Sequence, residues 1–70
     1  MVLSQRQLKI FQILLHSDDY IKCETIANKL GVSLRSIKTD IHVIKIIMAE
    51  QNITIETKRN KGVKLIQNTN

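Results

Sequence analysis

The sequence predicts a mainly α, α+β domain, a three-helix core followed by a two-stranded β-hairpin, and three observations predict it. Apolar residues recur at helical spacing as far as Asn52. Beyond Asn52 they alternate instead, as they do along a half-buried strand. Between the second and third helical stretches stand only Gly31, Val32 and Ser33, a stop signal followed at once by a start signal.

The first helix begins at Ser4, because a serine followed three residues later by Gln7 forms a capping box, and Leu3 is placed to staple onto Leu8. Its inward face is expected from Leu8, Phe11, Leu14 and Leu15, supported by Ile10 and Ile13, through about His16. Ser17, Asp18 and Asp19 then interrupt the pattern, and Tyr20 with Ile21 makes a short β-favouring pair suited to a minor strand. The second helix spans about Cys23 to Leu30, with Ile26, Ala27 and Leu30 inward. Gly31 ends it, since glycine accepts the left-handed conformation found just past a helix terminus.

Ser33 caps the third helix, and Val32 is placed to staple onto Ile37. Its apolar stripe is Ile37, Ile41, Ile44, Ile47 and Met48, running to about Gln51. The opposite face near its start reads Leu34, Arg35, Lys38, Thr39 and His42. Two short helices separated by so little chain have helix-turn-helix geometry. In the hairpin, Ile53, Ile55 and Thr57 alternate with Thr54, Glu56 and Lys58; after a turn at 59–62, Val63 and Leu65 alternate with Lys64 and Ile66.

Seventy residues make one domain, 1–70, with no room for two lobes around a cleft. A hydrophobic fraction of 43% is ordinary for a folded chain, so the segment is not a disordered basic tail. The net charge of +5 is uneven: residues 58–70 hold Lys58, Arg59, Lys61 and Lys64 and no acid, while residues 33–57 balance to zero. Such a local excess is the footprint of a polyanion binder. One cysteine, Cys23, allows no internal disulfide and is too little for a zinc site, and a small domain without such staples points to a reducing compartment. No stretch reaches the roughly 20 apolar residues of a membrane span and the N-terminus lacks a signal-peptide run, so the expected location is the cytoplasm. No Gly-rich phosphate loop and no nucleophile with a base and orienter are present, so an enzyme is the least favoured reading. His16 with Asp18 and Asp19 is too sparse a set for metal, and no cofactor is expected.

The run Leu30, Gly31-Val32-Ser33, Leu34, Arg35-Ser36-Ile37, Asp40-Ile41, followed by an isoleucine-rich strand and a KGVKL return strand, resembles the N-terminal winged helix-turn-helix of bacterial sugar-operon regulators. The Mga-like regulators and the activators carrying phosphotransferase regulation domains are the nearest in pattern, and the biotin operon repressor is more distant. Ser36 stands where that pattern has threonine, and Val63 stands where its wing often has a tyrosine or phenylalanine. The resemblance implies a transcription regulator of which this domain is the N-terminal part. It also implies dimers made through other domains, the isolated module being a weakly binding monomer.

The partner expected is double-stranded DNA. A major groove about 12 Å wide admits one helix, whose N-terminal side chains reach the base edges. The third helix, 33–50, would enter it with Leu34, Arg35, Lys38, Thr39 and His42; the planar fork of Arg35 matches guanine O6 and N7, and Ser33, Ser36 and Thr39 offer hydroxyls to phosphates. The wing, 58–64, would bring Lys58, Arg59 and Lys61 to the backbone or minor groove. Arg35 has a structural alternative as a bridge to Asp40 or Glu24, and Asp40, which phosphates repel, is expected to orient Arg35 or Lys38. The wing tip alone reads equally well as a solvated turn. The rival function is protein docking without nucleic acid, whose mark would be an apolar recognition face; only Leu34 fits it. RNA binding would ask for stacking aromatics, and the chain has only Phe11 and Tyr20, both expected in core or loop packing.

Overall fold

The computed structural model describes residues 2–67; Met1 and residues 68–70, the ends of the expected 1–70 domain, lie outside it. The order is α1 (Gln5–Leu15), α2 (Cys23–Leu30), α3 (Leu34–Ala49), β1 (Ile53–Lys58) and β2 (Gly62–Gln67), a three-helix core followed by an antiparallel hairpin. This is the winged helix-turn-helix architecture. Helix ends follow the local signals. Ser4 Oγ accepts from the Gln7 amide while the Gln7 side chain accepts from the Ser4 amide, the reciprocal capping box. Gly31 closes α2 at φ 66°, left-handed, and Ser33 Oγ caps α3 by accepting from the Ser36 amide at 3.1 Å.

The core is Ile10 and Leu14 of α1, Ile26 and Ala27 of α2, Ile37, Ile41, Ile44 and Ile47 of α3, and Ile55 and Val63 of the hairpin. The inward face of α1 differs from expectation. Leu8 and Leu15 are 46% and 47% exposed, and the buried pair one turn apart is Ile10 and Leu14, flanked by partly buried Leu3, Phe11 and Ile13. A helix with apolar residues at so many positions has several plausible stripes, and the geometry of α3 and β2 against it selects one. On β1, Thr57 is exposed although it shares the parity of Ile55 and pairs with buried Val63, because it borders an open cleft between the hairpin and α3.

The hairpin pairs Ile53 with Gln67 through Lys58 with Gly62. At the tip the Lys61 amide donates to the Lys58 carbonyl at 3.1 Å, and Asn60 takes φ 68°, the positive value that a type II turn requires at its third position and asparagine tolerates. The expected minor strand is present as a bridge: the Ile21 and Val63 amides each donate to the other's carbonyl at 2.9 Å. The link between α1 and α2 is thereby bridged to β2, which fixes the wing to the helical body. Gly62, at φ 110°, is what lets it approach, because a Cβ there would sit 2.1 Å from the Ile21 carbonyl oxygen.

Candidate nucleic-acid interface

Arg35, Lys38, Thr39 and His42 are all exposed, and their spacing of three, four and seven residues from Arg35 puts them on one stripe of α3. The buried Ile37, Ile41 and Ile44 occupy the opposite side, so core packing aims the polar stripe outward. Leu34 and Ser36 flank it half-buried. The Ser33 hydroxyl donates to Ser36 Oγ at 2.9 Å while its oxygen caps the helix. Its proton is thus spent internally, whereas the Ser36 proton remains for an outside acceptor. The stripe also carries an apolar residue that the sequence reading passed over: Ile46, four residues beyond His42 and 52% exposed.

Helix and wing meet along two clefts. In one, of about 270 Å³, Lys38 of α3 faces Lys58, Asn60 and Gly62 of the wing, with Lys22 and Glu24 from the start of α2. In the other, of about 250 Å³, Lys38, His42 and Lys45 share the walls with Thr57 and Val63. The structure thus brings Lys38 together with the wing at Lys58, and His42 together with it at Thr57 and Val63. Arg35 and Thr39 stand on the open face of α3, and Arg59 and Lys61 are exposed at the wing tip. Lys22, Lys45 and Asn60 were not singled out from the sequence. Lys22 carried one usable signal: it immediately precedes the first helix of the helix-turn-helix, on the side facing the wing.

Asp40 does not orient Arg35 or Lys38. Its carboxylate is buried and accepts from Arg6 Nε and, at 3.2 Å, from Gln7 Nε2, both on the first turns of α1. The hydrogen bond and then the charge of Asp40 raise the Arg6 pKa above its ordinary value. Asp40 lies on the side of α3 turned towards α1, out of reach of the outward stripe. Among the described residues Arg6–Asp40 is the ion pair found, so Arg35 is not bridged to Glu24 or Asp40 there. Cys23 sits half-buried in the walls of both clefts. Burial pushes its thiol pKa up, the nearby Lys38 opposes this, and Glu24 adds to it.

Of the two placements expected for Tyr20, core or loop packing, the structure shows the second. Tyr20 lies half-buried against the outward side of the hairpin, its hydroxyl donating to the Glu56 carboxylate. Among the described residues no three His, Cys, Asp or Glu side chains are grouped to hold a metal. Nor is any helix there long and apolar enough to cross a membrane.

No curated protein and no solved structure matched this chain. A family model described as an HTH domain matches residues 6–64, from the first turn of α1 to the middle of β2, and so takes in both helices of the turn and the wing. Helix-turn-helix domains are a DNA-binding, non-catalytic kind of module, and with the match spanning this whole architecture the chain belongs to the HTH domain family.

Proposed function

We propose that this domain is the sequence-specific DNA reader of a bacterial transcription regulator of the Mga-like, phosphotransferase-regulation-domain kind, working in the cytoplasm. Helix α3 lies in the major groove, with Arg35 reading a base edge and Lys38, Thr39 and His42 beside it; Lys58, Arg59 and Lys61 of the wing follow the backbone or the adjacent minor groove. The observation that carries this reading is the cleft in which Lys38 of α3 and Lys58 of the wing share walls. A recognition helix and a basic wing on one side of a molecule form a continuous cationic surface, which is what a duplex with phosphates flanking its groove requires. The isolated domain binds as a weak monomer, and pairing through further domains supplies the affinity of a full site.

The test is selection of a preferred duplex from a random-sequence pool, followed by titration at several salt concentrations. A preferred site bound with a falling log K against log salt supports the reading. Retention of no duplex at low salt would contradict it and favour protein docking, for which Leu34 and the exposed Ile46 on α3 would be the apolar contacts.

A further inference from the structure

The Tyr20 ring is surrounded by cations. The ammonium nitrogens of Lys58, Lys61 and Lys64 lie 5.4, 6.0 and 5.6 Å from its centre. These lysines come from three different places, the end of β1, the turn and β2. What unites them is the ring.

The ring's position does not depend on the lysines. The neighbouring Ile21 is tied by two backbone hydrogen bonds to Val63, and the Tyr20 amide donates to the Asp19 side chain at 2.7 Å. Strand alternation turns Ile21 towards the core with Val63 and Tyr20 towards the outward side, where Glu56, Lys58 and Lys64 also project. The hydroxyl is fixed by Glu56, which is paired directly across the hairpin with Lys64. Each ammonium within about 6 Å of a ring face gains from the ring's quadrupole.

Three ammonium groups around one ring repel one another, since all lie within about a Debye length, ~10 Å at 0.1 M salt. Glu56 is the carboxylate bonded to the ring's hydroxyl, and Glu24 lines the cleft that Lys58 shares with Lys38, so acids do not match the lysines one for one. The cluster is left cationic, and what relieves such a cluster is an anion with closely spaced charges. Tyr20 is also outside the set of side chains that build the core, so its ring is not needed to close the fold.

We propose that Tyr20 is a positioning residue of the wing: its ring gathers Lys58, Lys61 and Lys64 into one preordered cationic cluster that receives the phosphate backbone of duplex DNA. The proposal rests on the DNA-binding reading above and adds a residue and a mechanism to it. Ordering long side chains before contact lowers the entropy lost on binding, so the ring acts through the lysines without itself touching a base.

The gathering is tested first in the free protein, where no DNA is needed. Ring currents should shift the side-chain methylene protons next to the ammonium groups of Lys58, Lys61 and Lys64 upfield in the parent and in Tyr20→Phe, and the shifts should vanish in Tyr20→Leu. Parent spectra without these shifts would overturn the proposal whatever the variants do. Binding to a short mixed-sequence duplex is then measured across salt concentrations, with melting midpoints as control. Tyr20→Leu should weaken binding about tenfold and flatten the salt slope by about one unit, while Tyr20→Phe stays within about twofold of the parent. A Tyr20→Leu variant that binds like the parent, or a Tyr20→Phe variant as weak as Tyr20→Leu, overturns the role given to the ring. Changing Lys58, Lys61 and Lys64 together to alanine separates the two levels. If that triple variant is weak while Tyr20→Leu is not, only the positioning role falls; if the triple variant binds like the parent, the wing reading falls and takes the positioning role with it.

Discussion

Arg6 Nε donates to Asp40 Oδ2 at 2.5 Å, joining the first turn of α1 to the middle of α3. The partners are unequal, the Arg6 side chain being 45% exposed and that of Asp40 5%. Asp40 therefore depends on the pair more than Arg6 does. Removing the arginine strands a carboxylate with one remaining donor, Gln7, whereas removing the aspartate frees an arginine into water. Arg6→Ala should lower the melting temperature, and adding Asp40→Ala to it should recover part of the loss. A double variant less stable than Arg6→Ala alone would mean that Asp40 holds α3 by other means.

The two glycines should respond differently to a methyl group. Gly31 sits at φ 66° with nothing within 4 Å of an added Cβ, so Gly31→Ala costs backbone strain alone, about 1–2 kcal/mol. At Gly62 the new Cβ would collide with the Ile21 carbonyl, so Gly62→Ala should cost more and break the Ile21–Val63 bridge. Denaturant unfolding gives the costs, and faster hydrogen exchange at the Ile21 and Val63 amides in Gly62→Ala alone identifies the broken bridge. Equal costs for the two variants would remove the bridge from the account.

Isoleucines on opposite sides of α3 provide a matched comparison. Ile37 is fully buried and Ile41 nearly so, and either change to alanine should cost about 2–5 kcal/mol. Ile46, 52% exposed, should change stability by no more than about 0.5 kcal/mol. A large effect at Ile46 would show that the outward face of α3 is covered in the domain itself.

Much of this was legible in the residues. Ser4 with Gln7, Gly31 with Ser33, and the change of period at Asn52 marked the start of α1, the end of α2, the start of α3 and the switch to the hairpin, because caps and periodicity are local properties of the chain; the start of α2 carries no side-chain cap. The outward stripe of α3 was legible for the same reason, as the complement of an isoleucine stripe. What escaped the sequence is what long-range packing decides. Asp40 met Arg6 instead of its helical neighbours, since which flank of α3 faces α1 is set by the crossing of the helices. Leu8 and Leu15 yielded the interior to Ile10 and Leu14 for a similar reason. Tyr20 looked like packing because its meeting with the wing lysines depends on a bridge formed 42 residues along the chain, between Ile21 and Val63.

Cys23 provides a pH test. Burial favours its neutral thiol, so the folded state binds the proton more tightly than the unfolded chain does. Its contribution to stability is therefore full below the ordinary thiol pKa, about 8.5, and fades as pH rises through the higher folded value. Alkylation by iodoacetamide, followed against pH, should have its midpoint above that of the unfolded chain in denaturant. A midpoint at or below the unfolded one would mean that Lys38 outweighs burial.

The central claim is that α3 reads sequence while the wing holds the backbone, and it is tested most directly by comparing Arg35→Ala with Lys61→Ala on a selected duplex and its scrambled counterpart across salt concentrations. Arg35 is exposed two residues past the Ser33 cap, where a helix tip enters the groove, and Lys61 lies on the turn of the wing. Arg35→Ala should cost roughly 1–3 kcal/mol on the selected duplex and less on the scrambled one. Lys61→Ala should weaken both about equally and reduce the salt slope by about one unit. An Arg35→Ala variant that binds both duplexes as the parent does would contradict the claim.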